Sequence, residues 1–524
     1  MRRKLVAGLM TAAVLVTVAG PARGGVGVIS KKNMEWAFQV PQGAASDIEF
    51  FERKLEDGTL KRYAIVGVIG HGFSIIDITN PDVPVPAGYY VGPGVYWQGD
   101  IQVNPRRNLV TIATDGAPGA TVPQGGVGNG FEIVDITNVA QPRHLASVNN
   151  VGGAHNTTMV GDNHVYTALP TYVIDITNPS QPVNRGQKSF ICGHDLTVDP
   201  NNPDRLYSAC SSPNAQRAWQ IVDVSDPNNP VLVKNVPEPG ISVGHQADPA
   251  PDSSFVVVTD ERGGGLTNEF APGGGVHVYD ISGKYTQPNA QGPASETNPI
   301  KMGAWFAPFF GVSTGNTMSG PWGNVTAHNM TFQAERYLLS IGWYSMGSWV
   351  TDMEDRTNDT GPYAEWKGTH SNGGPTTWGN TQGNILLEGA ETWSTKWTRF
   401  DDPRFDRYLF TSDISRGFDV LKYTGAMPKK IARLSVGGTA TDGAVTGKLD
   451  RYAVWTHEGW VNKPLAGKTL TVKAGSTTVT ATTAGDGTFS ANLGLTEGSR
   501  EVTVTWSDPT GIYRTARVTQ TVSA

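Results

Sequence analysis

The stretch FSIIDITNPDVP, from Phe73 to Pro84, decides the fold of this chain because copies of it return along the sequence. Close copies are FEIVDITNVAQP from Phe131, YVIDITNPSQP from Tyr172 and QIVDVSDPNNP from Gln220, and weaker copies (HVYDISGKY, WVTDMEDRTN, FDVLKYTG) start at positions 277, 349 and 418. Aspartates mark the first six units at intervals of 58, 40, 48, 57 and 72 residues. β-Branched runs broken by Asn, Pro and Gly at this period indicate four-stranded propeller blades rather than helical repeats.

This repeat resembles the LVIVD-repeat family of secreted and surface β-propellers, whose units carry the same apolar run, aspartate and Asp-Pro or Asn-Pro turn. The resemblance covers residues 45–425 and implies a propeller fold. It implies no activity, because that family is defined by its repeat and not by a reaction. The repeated aspartates are followed by Thr, Ser or Asn, so we predict that they form turns.

We predict an all-β chain of three parts. Residues 1–24 are predicted to be a secretory signal, because a basic head precedes an apolar stretch too short to span a bilayer. Residues 30–426 are predicted to form a seven-bladed β-propeller, which the strand Met34 to Val40 or a segment near Ile431 would close. Residues 430–524 alternate apolar and polar residues between turns and are similar to bacterial immunoglobulin-like modules, which implies a small β-sandwich.

Composition narrows the functional classes. The 524 residues carry a formal net charge of −6 without a basic stripe, which argues against nucleic acid or an anionic membrane as partner. We expect a monomer that is secreted, extracellular or bound to the cell wall, exported by either the general or the twin-arginine route. The two cysteines, Cys192 and Cys210, are predicted to form a disulfide in that oxidising location.

Two insertions interrupt the later repeats. Residues 284–326 and 354–394 are rich in Gly, Asn, Thr and Trp and are predicted to be surface loops. Long loops on a rigid ring often carry specificity, so these segments are candidates for ligand recognition.

Four histidines share one position in the repeat. They precede Val165, Leu206, Phe255 and Tyr337 by 10, 12, 10 and 9 residues, and they are His155, His194, His245 and His328. The first two repeats have Asp47 and Asp100 there, and the seventh has Trp397 or Thr398. Because the innermost strand of a blade faces the channel, these side chains are predicted to meet. Four imidazoles with Asp100 could hold one transition metal ion, Fe, Cu or Zn.

A second group of polar residues lies in the loops after the second strand of each repeat. These loops share a face with the start of the innermost strand, so the residues would rim the channel mouth and could position a polar substrate. The candidates for catalysis are Asp260, Glu261, Arg262, Asp413, Arg416 and His71, and Asp115 occupies a similar place.

Two functions remain open. One is a binding or adhesion propeller without a cofactor, which recognises an extracellular polysaccharide or protein at its channel mouth and loops. The other is a metalloenzyme that performs oxidative or hydrolytic chemistry at the histidines. In the first case the histidines would only pack in the channel, each donating a hydrogen bond to a neighbouring blade.

Overall fold

The computed structural model describes residues 27–94, 96, 98–115, 129–149, 151–214, 216–261, 274–307, 326–354 and 380–524. The predicted signal, residues 1–24, lies outside this part, as does much of both predicted insertions. The described residues form β-strands and one short 3-10 helix, Pro403–Phe405. Among them, no helix has the length and apolar character needed to cross a membrane.

The chain begins with two strands, β1 (Val28–Lys32) and β2 (Met34–Val40), that pair with strands from much later in the sequence. Three antiparallel sheets follow, each built from four consecutive strands. Their strands are β3 (Ala45–Lys54), β4 (Leu60–Val68), β5 (Gly72–Asp77) and β6 (Val85–Tyr90); β7 (Ile101–Asn104), β8 (Leu109–Asp115), β9 (Asn129–Asp135) and β10 (Arg143–Val148); and β11 (Thr157–Val160), β12 (His164–Thr167), β13 (Tyr172–Asp175) and β14 (Val183–Gln187).

Four more sheets continue the series. The sixth gains β1 as a fifth strand beside β26, and the seventh gains β2 beside β29. The strands are β15 (Gly193–Asp199), β16 (Asn202–Asn214), β17 (Arg217–Asp223) and β18 (Val231–Val236); β19 (Gly244–Pro249), β20 (Phe255–Asp260), β21 (Val276–Asp280) and β22 (Ile300–Trp305); β23 (Met330–Phe332), β24 (Leu338–Gly342), β25 (Ser348–Asp352) and β26 (Asn380–Leu387); and β27 (Thr392–Trp397), β28 (Tyr408–Asp413) and β29 (Gly417–Tyr423).

The first strands of these sheets contact one another in a closed cycle. β3, β7, β11, β15, β19, β23 and β27 each contact the next, and β27 contacts β3. This radial arrangement of four-stranded sheets is a β-propeller. Pairing of β2 with β29 confirms that the N-terminal strand completes the last sheet, rather than the segment near Ile431.

The apolar run of the repeat is continuous because each sheet is buried on both faces. In β5, Phe73 and Ile75 pack in a cluster shared with the second sheet, whereas Ile76 packs in a cluster shared with the seventh. An alternating strand would leave one of these faces polar.

The repeated aspartates form turns, as predicted. Each carboxylate accepts a hydrogen bond, 2.8 to 3.0 Å long, from the backbone N–H two residues ahead. This hydrogen bond from side chain to backbone takes the place of a backbone hydrogen bond in the turn that follows the third strand. The aspartates are Asp77, Asp135, Asp175, Asp223, Asp280 and Asp352.

The predicted insertions contain strands as well as loops, so that prediction was wrong in part. β22 and β26 lie within residues 284–326 and 354–394 and form the fourth strands of their sheets. Their glycines and polar residues hid them from a search for β-branched runs. Cys192 and Cys210 form the predicted disulfide, across the start of β15 and the middle of β16.

The C-terminal residues form two further sheets around one apolar core and a separate hairpin. Their strands are β30 (Ala432–Val436), β31 (Ala444–Arg451), β32 (Val454–Thr456), β33 (Gly459–Val461), β34 (Thr469–Ala474), β35 (Thr477–Thr482), β36 (Thr488–Asn492), β37 (Ser499–Trp506) and β38 (Ala516–Ser523).

This C-terminal part is docked on the propeller by buried polar contacts. Arg451 reaches both carboxylate oxygens of Glu335 at 2.8 and 2.7 Å. The Trp455 indole donates to the Phe50 carbonyl at 2.8 Å. The hairpin β32–β33, residues 454–461, is called the mouth hairpin below.

Candidate metal centre

A β-bulge at the start of the inner strand positions each of the four histidines. In β15, three residue steps from Gly193 to Leu196 face two steps of the partner strand, and β19 repeats this from Gly244 to Ala247. Before β11, the His155 N–H donates to the Ala168 carbonyl and the Ala168 N–H donates to the Asn156 carbonyl, so two residues face one. The same pattern surrounds His328. A bulge re-aims side chains, here into the channel.

The four imidazole rings stand in one contiguous row. Ring centroids are 4.4 Å apart between His155 and His194, 4.2 Å between His194 and His245, and 3.9 Å between His245 and His328. Three of the side chains are 2% to 7% exposed, and His155 is partly buried. The structure therefore brings together all four histidines that share the repeat position. We call them the histidine cluster.

The rings at the two ends of the row are oriented by hydrogen bonds. His155 Nδ1 lies 3.0 Å from a carboxylate oxygen of Asp115, and His328 Nδ1 lies 2.9 Å from the Trp393 carbonyl oxygen. Both oxygens are acceptors here, so Nδ1 carries a proton in each ring, and in the neutral form of the ring Nε2 keeps its lone pair. This is the arrangement that orients metal-binding imidazoles.

Several ring nitrogens have no hydrogen-bond partner within the described residues. They are Nε2 of His155 and Nδ1 of both His194 and His245, and all three atoms are buried. Burial lowers the pKa of His194 and of His245 well below the usual range, and it lowers the pKa of His328 to about 3. These rings are neutral at physiological pH, which is the form that binds transition metals.

Two buried carboxylates flank the histidine cluster. Asp195 oxygens lie 3.9 Å from His194 Nδ1 and 3.6 Å from His245 Nδ1. Glu261 oxygens lie 3.9 Å from His194 Nε2 and 3.6 Å from His328 Nε2. The potential metal-ligand atoms therefore form two groups of three, and within each group they lie no more than 4.8 Å apart. One group is His194, Asp195 and His245, and the other is His245, Glu261 and His328.

Glu261 is held by a tyrosine. Its Oε1 accepts a hydrogen bond of 2.6 Å from the Tyr344 hydroxyl. Burial raises the pKa of the Glu261 carboxyl to about 7, although the Tyr344 hydrogen bond acts in the opposite direction. Its sequence position predicted a place at the channel rim, and the structure places it against two of the histidines.

Asp100, predicted as a fifth ligand, has a different set of contacts. Its Oδ2 accepts a hydrogen bond of 2.8 Å from the Thr157 backbone N–H. It borders a small cavity that His245 and His328 also line, but it belongs to neither three-atom group among the described residues. The sequence prediction for the seventh repeat was off by four or five residues, since the bulge of β27 lies between Thr392 and Ser394 and the Trp393 ring stands 4.4 Å from that of His328.

The predicted rim residues are spread over the loops. Asp260 accepts hydrogen bonds from the Ser242 and Val243 backbone, Asp413 accepts them from Glu391, Ser415 and Arg416, and the Arg416 side chain pairs with Asp419 at 2.9 Å. Burial raises the pKa of Asp413 to about 6. His71 lies exposed between β4 and β5. Arg262 lies outside the described residues. Of this group, only Glu261 and Asp115 contact the histidine cluster.

Sequence reasoning missed Asp195, Tyr344 and Trp393. Strict alternation puts Asp195 on the face opposite His194, and the bulge is what brings both into the channel. Asp195 directly follows His194 in the sequence Gly-His-Asp, and this adjacency was the one sequence feature that could have indicated it. Tyr344 has no repeat position of its own, and Trp393 was missed because the seventh repeat was aligned four or five residues too late.

Comparison with known proteins agrees with the repeat. A model of the LVIVD repeat matches residues 61–91 and 218–237, in the first and fourth sheets. No curated protein matches the chain.

Solved structures with a similar outline are distant. A functionally unknown protein from Desulfotomaculum acetoxidans is 12% identical, with a TM-score of 0.41 over 66% of this chain and 88% of its own. The Cps50 (Swd1) β-propeller domain of Myceliophteria thermophila is 9% identical, with 0.43 over 74% and 99%. A protein from Lactobacillus plantarum is 10% identical, with 0.40 over 78% and 92%. Likenesses this remote carry no information on activity. The chain thus has a β-propeller fold and carries LVIVD repeats in two of its sheets.

Proposed function

We propose that this protein is an exported, seven-bladed β-propeller that holds one transition metal ion in its central channel. The seven sheets would be the blades, and residues 430–524 an immunoglobulin-like sandwich attached to them. Residues 1–24 would direct export, and the protein would act as a monomer outside the cell or at the cell wall.

The row of four adjoining imidazoles, of which His194, His245 and His328 have lowered pKa values, is the observation that carries the metal proposal. Packing alone would satisfy the ring nitrogens with hydrogen bonds to neighbouring sheets, because a buried nitrogen without a partner costs about 1–3 kcal/mol. Three ring nitrogens lack such bonds, whereas the end rings are held through Nδ1. Lone pairs on this many imidazoles suit Fe, Cu or Zn.

Asp195 and Glu261 are the carboxylates best placed to complete or orient the shell of the ion. Both are buried, and each lies within 3.6 to 3.9 Å of two histidine nitrogens. Asp100, engaged by Thr157, would act from farther out.

The metal content of the purified protein tests this proposal. Elemental analysis should find about one Fe, Cu or Zn per chain. The double variant His194→Ala, His245→Ala should lose the metal. The control His144→Ala, His164→Ala also removes two histidines, from β10 and β12, and should keep it. Equal metal content in the two double variants, or none in the parent protein, contradicts the proposal.

The contact between Glu261 and Tyr344 favours a catalytic role for the metal site, that is, a metalloenzyme. Glu261 lies against two histidines and accepts a hydrogen bond from Tyr344, so a carboxyl and a phenol stand together where they could hold or transfer a proton. The reaction would be oxidative if the ion is Fe or Cu, or hydrolytic if it is Zn. The variant Tyr344→Phe distinguishes catalysis from metal binding, since it should lower turnover and leave the metal content unchanged.

A further inference from the structure

A second site occupies the same channel, on the other side of Asp195 from the histidines. A cavity of about 400 Å³ lies there, which is within the range of small-molecule sites. Its inner end is formed by Asp47, Asp100 and Asp195, and its outer end includes Trp455 and Trp460 of the mouth hairpin. We call it the channel cavity.

The channel cavity is lined by more acidic than basic side chains. Seven of its lining side chains are acidic and three are basic. Lys396 contacts Asp47 at 2.8 Å and Glu49 at 2.9 Å, and so balances one of these two charges. Ionising several buried carboxyl groups side by side is costly, and a positively charged occupant would stabilise their ionised form.

The inner carboxylates still have free capacity to accept hydrogen bonds. Asp195 is 9% exposed and makes no hydrogen bond in the described structure; its carboxylate oxygens lie 3.9 Å from His194 Nδ1 and 3.6 Å from His245 Nδ1. Asp47 is 3% exposed, and its Oδ2 is buried without a partner. Acceptor atoms buried in this state, at the end of a cavity, point to a donor that the protein does not supply.

The outer end offers aromatic surface and a solvent opening. The Trp455 and Trp460 rings meet edge to face at 4.8 Å, and Trp460 is 37% exposed. The Arg399 guanidinium lies 4.4 Å from the centre of the Trp460 ring. The mouth hairpin therefore forms a wall of the cavity, which gives the C-terminal residues a role beyond that of a spacer.

We propose that the channel cavity binds an organic cation, with an ammonium or guanidinium group among Asp47, Asp100 and Asp195 and its body toward the mouth hairpin. An ammonium group supplies three donors and one positive charge, which matches the buried acceptors. The volume exceeds the space that a bare metal ion needs. Asp195 belongs to both proposed sites, so cation binding is tested in the metal-free protein.

Titration calorimetry with spermidine tests the proposal on the full chain after treatment with EDTA. One spermidine should bind per chain, and the uncharged hexane-1,6-diol should not bind. The variant Asp47→Asn, Asp100→Asn should bind spermidine at least about tenfold more weakly, since each change removes a charge-assisted contact. The matched control Asp57→Asn, Asp226→Asn loses the same charge from exposed turns and should bind as the parent does.

Further variants keep the test decisive. If circular dichroism shows that the cavity variant is misfolded, Trp460→Ala replaces it and should weaken binding about two- to fivefold. Its control, Ile512→Ala, removes an exposed apolar side chain elsewhere in the C-terminal part. His194→Ala, His245→Ala should keep spermidine affinity while losing metal, which separates this proposal from the metal centre.

Three results would overturn the organic-cation site. The first is equal weakening in the cavity and turn variants, which would indicate general attraction to an acidic protein. The second is binding of the diol as strong as that of spermidine. The third is displacement of spermidine by Ca²⁺ at lower concentration, which would assign the carboxylates to a divalent cation.

Discussion

The channel wall carries buried polar side chains on two sides, and the two sides pair them differently. On one side the histidine cluster leaves ring nitrogens without hydrogen-bond partners among the described residues. On the other, Lys396 joins Asp47 and Glu49 in a buried ion-pair network. Asp47 occupies the same repeat position as the four histidines. A shared repeat position therefore does not by itself indicate a metal ligand. Buried ring nitrogens without a hydrogen-bond partner among the described residues are the better indication.

The charge states of the two sides follow from their neighbours. Burial alone would lower the pKa of Lys396, but the charges of Asp47 and Glu49 outweigh it and raise that pKa. The histidines have no comparable compensation, and burial lowers the pKa values of His194 and His245. One side thus holds charged groups that pair with each other, and on the other side the rings of His194 and His245 stay neutral at physiological pH.

The largest expected effect comes from breaking the ion-pair side. Lys396→Met leaves buried Asp47 and partly exposed Glu49 without their cation, so we expect a loss of about 3–5 kcal/mol in the free energy of unfolding. Denaturant unfolding measures it, and Lys473→Met, on an exposed position of β34, is the control. A loss no larger than that of the control would show that the network is not structural.

The disulfide beside His194 is next in size. It closes a loop with a sequence separation of 18 residues, and Cys192→Ser, Cys210→Ser should lower the free energy of unfolding by about 3 kcal/mol. Reducing agent should destabilise the parent protein to the same extent and leave the double variant unchanged. Sensitivity of the double variant to reductant would contradict this account.

The hydrogen bond that orients His155 gives a smaller effect. Asp115→Asn removes the charge that faces His155 Nδ1, and we expect metal affinity to fall about 10- to 100-fold, as for other groups that orient metal-bound imidazoles. Competition with a chelator measures the affinity. Asp135→Asn, at a repeat turn, is the control. Equal metal affinity in the two variants would show that Asp115 does not contribute to metal binding.

The smallest effect concerns the pH dependence of stability of the metal-free protein. Folded His245 has a lowered pKa, so as the pH falls below about 6.5 the unfolded chain takes up a proton that the folded chain does not, and stability is lost. His245→Gln should therefore lose less stability between pH 6.5 and 5, by up to about 1.4 kcal/mol per pH unit. Thermal unfolding across this range, with His144→Gln as control, measures the difference. Parallel profiles for parent and His245→Gln would mean that the imidazole is protonated in the fold.

Repetition made much of this molecule predictable. The recurring run and turn predicted the four-stranded sheets, the turn role of the aspartates and the meeting of four histidines. β22 and β26 were missed because their sequences, IKMGAW and NTQGNILL, contain glycine and polar residues and few β-branched residues. Asp195 was missed because a bulge breaks the alternation from which facing is inferred. Trp393 and the mouth hairpin join the channel through contacts between distant parts of the chain, and no local pattern encodes these.

X-ray absorption spectroscopy of the metal-loaded protein tests the central claim most directly. The account predicts three to four imidazole nitrogens at about 2.0–2.1 Å from one ion, with the outer scattering typical of imidazole rings. The double variant His194→Ala, His245→Ala should lose this signal. A shell of oxygen atoms alone, or a spectrum that the double variant leaves unchanged, would show that the histidine cluster does not hold the metal.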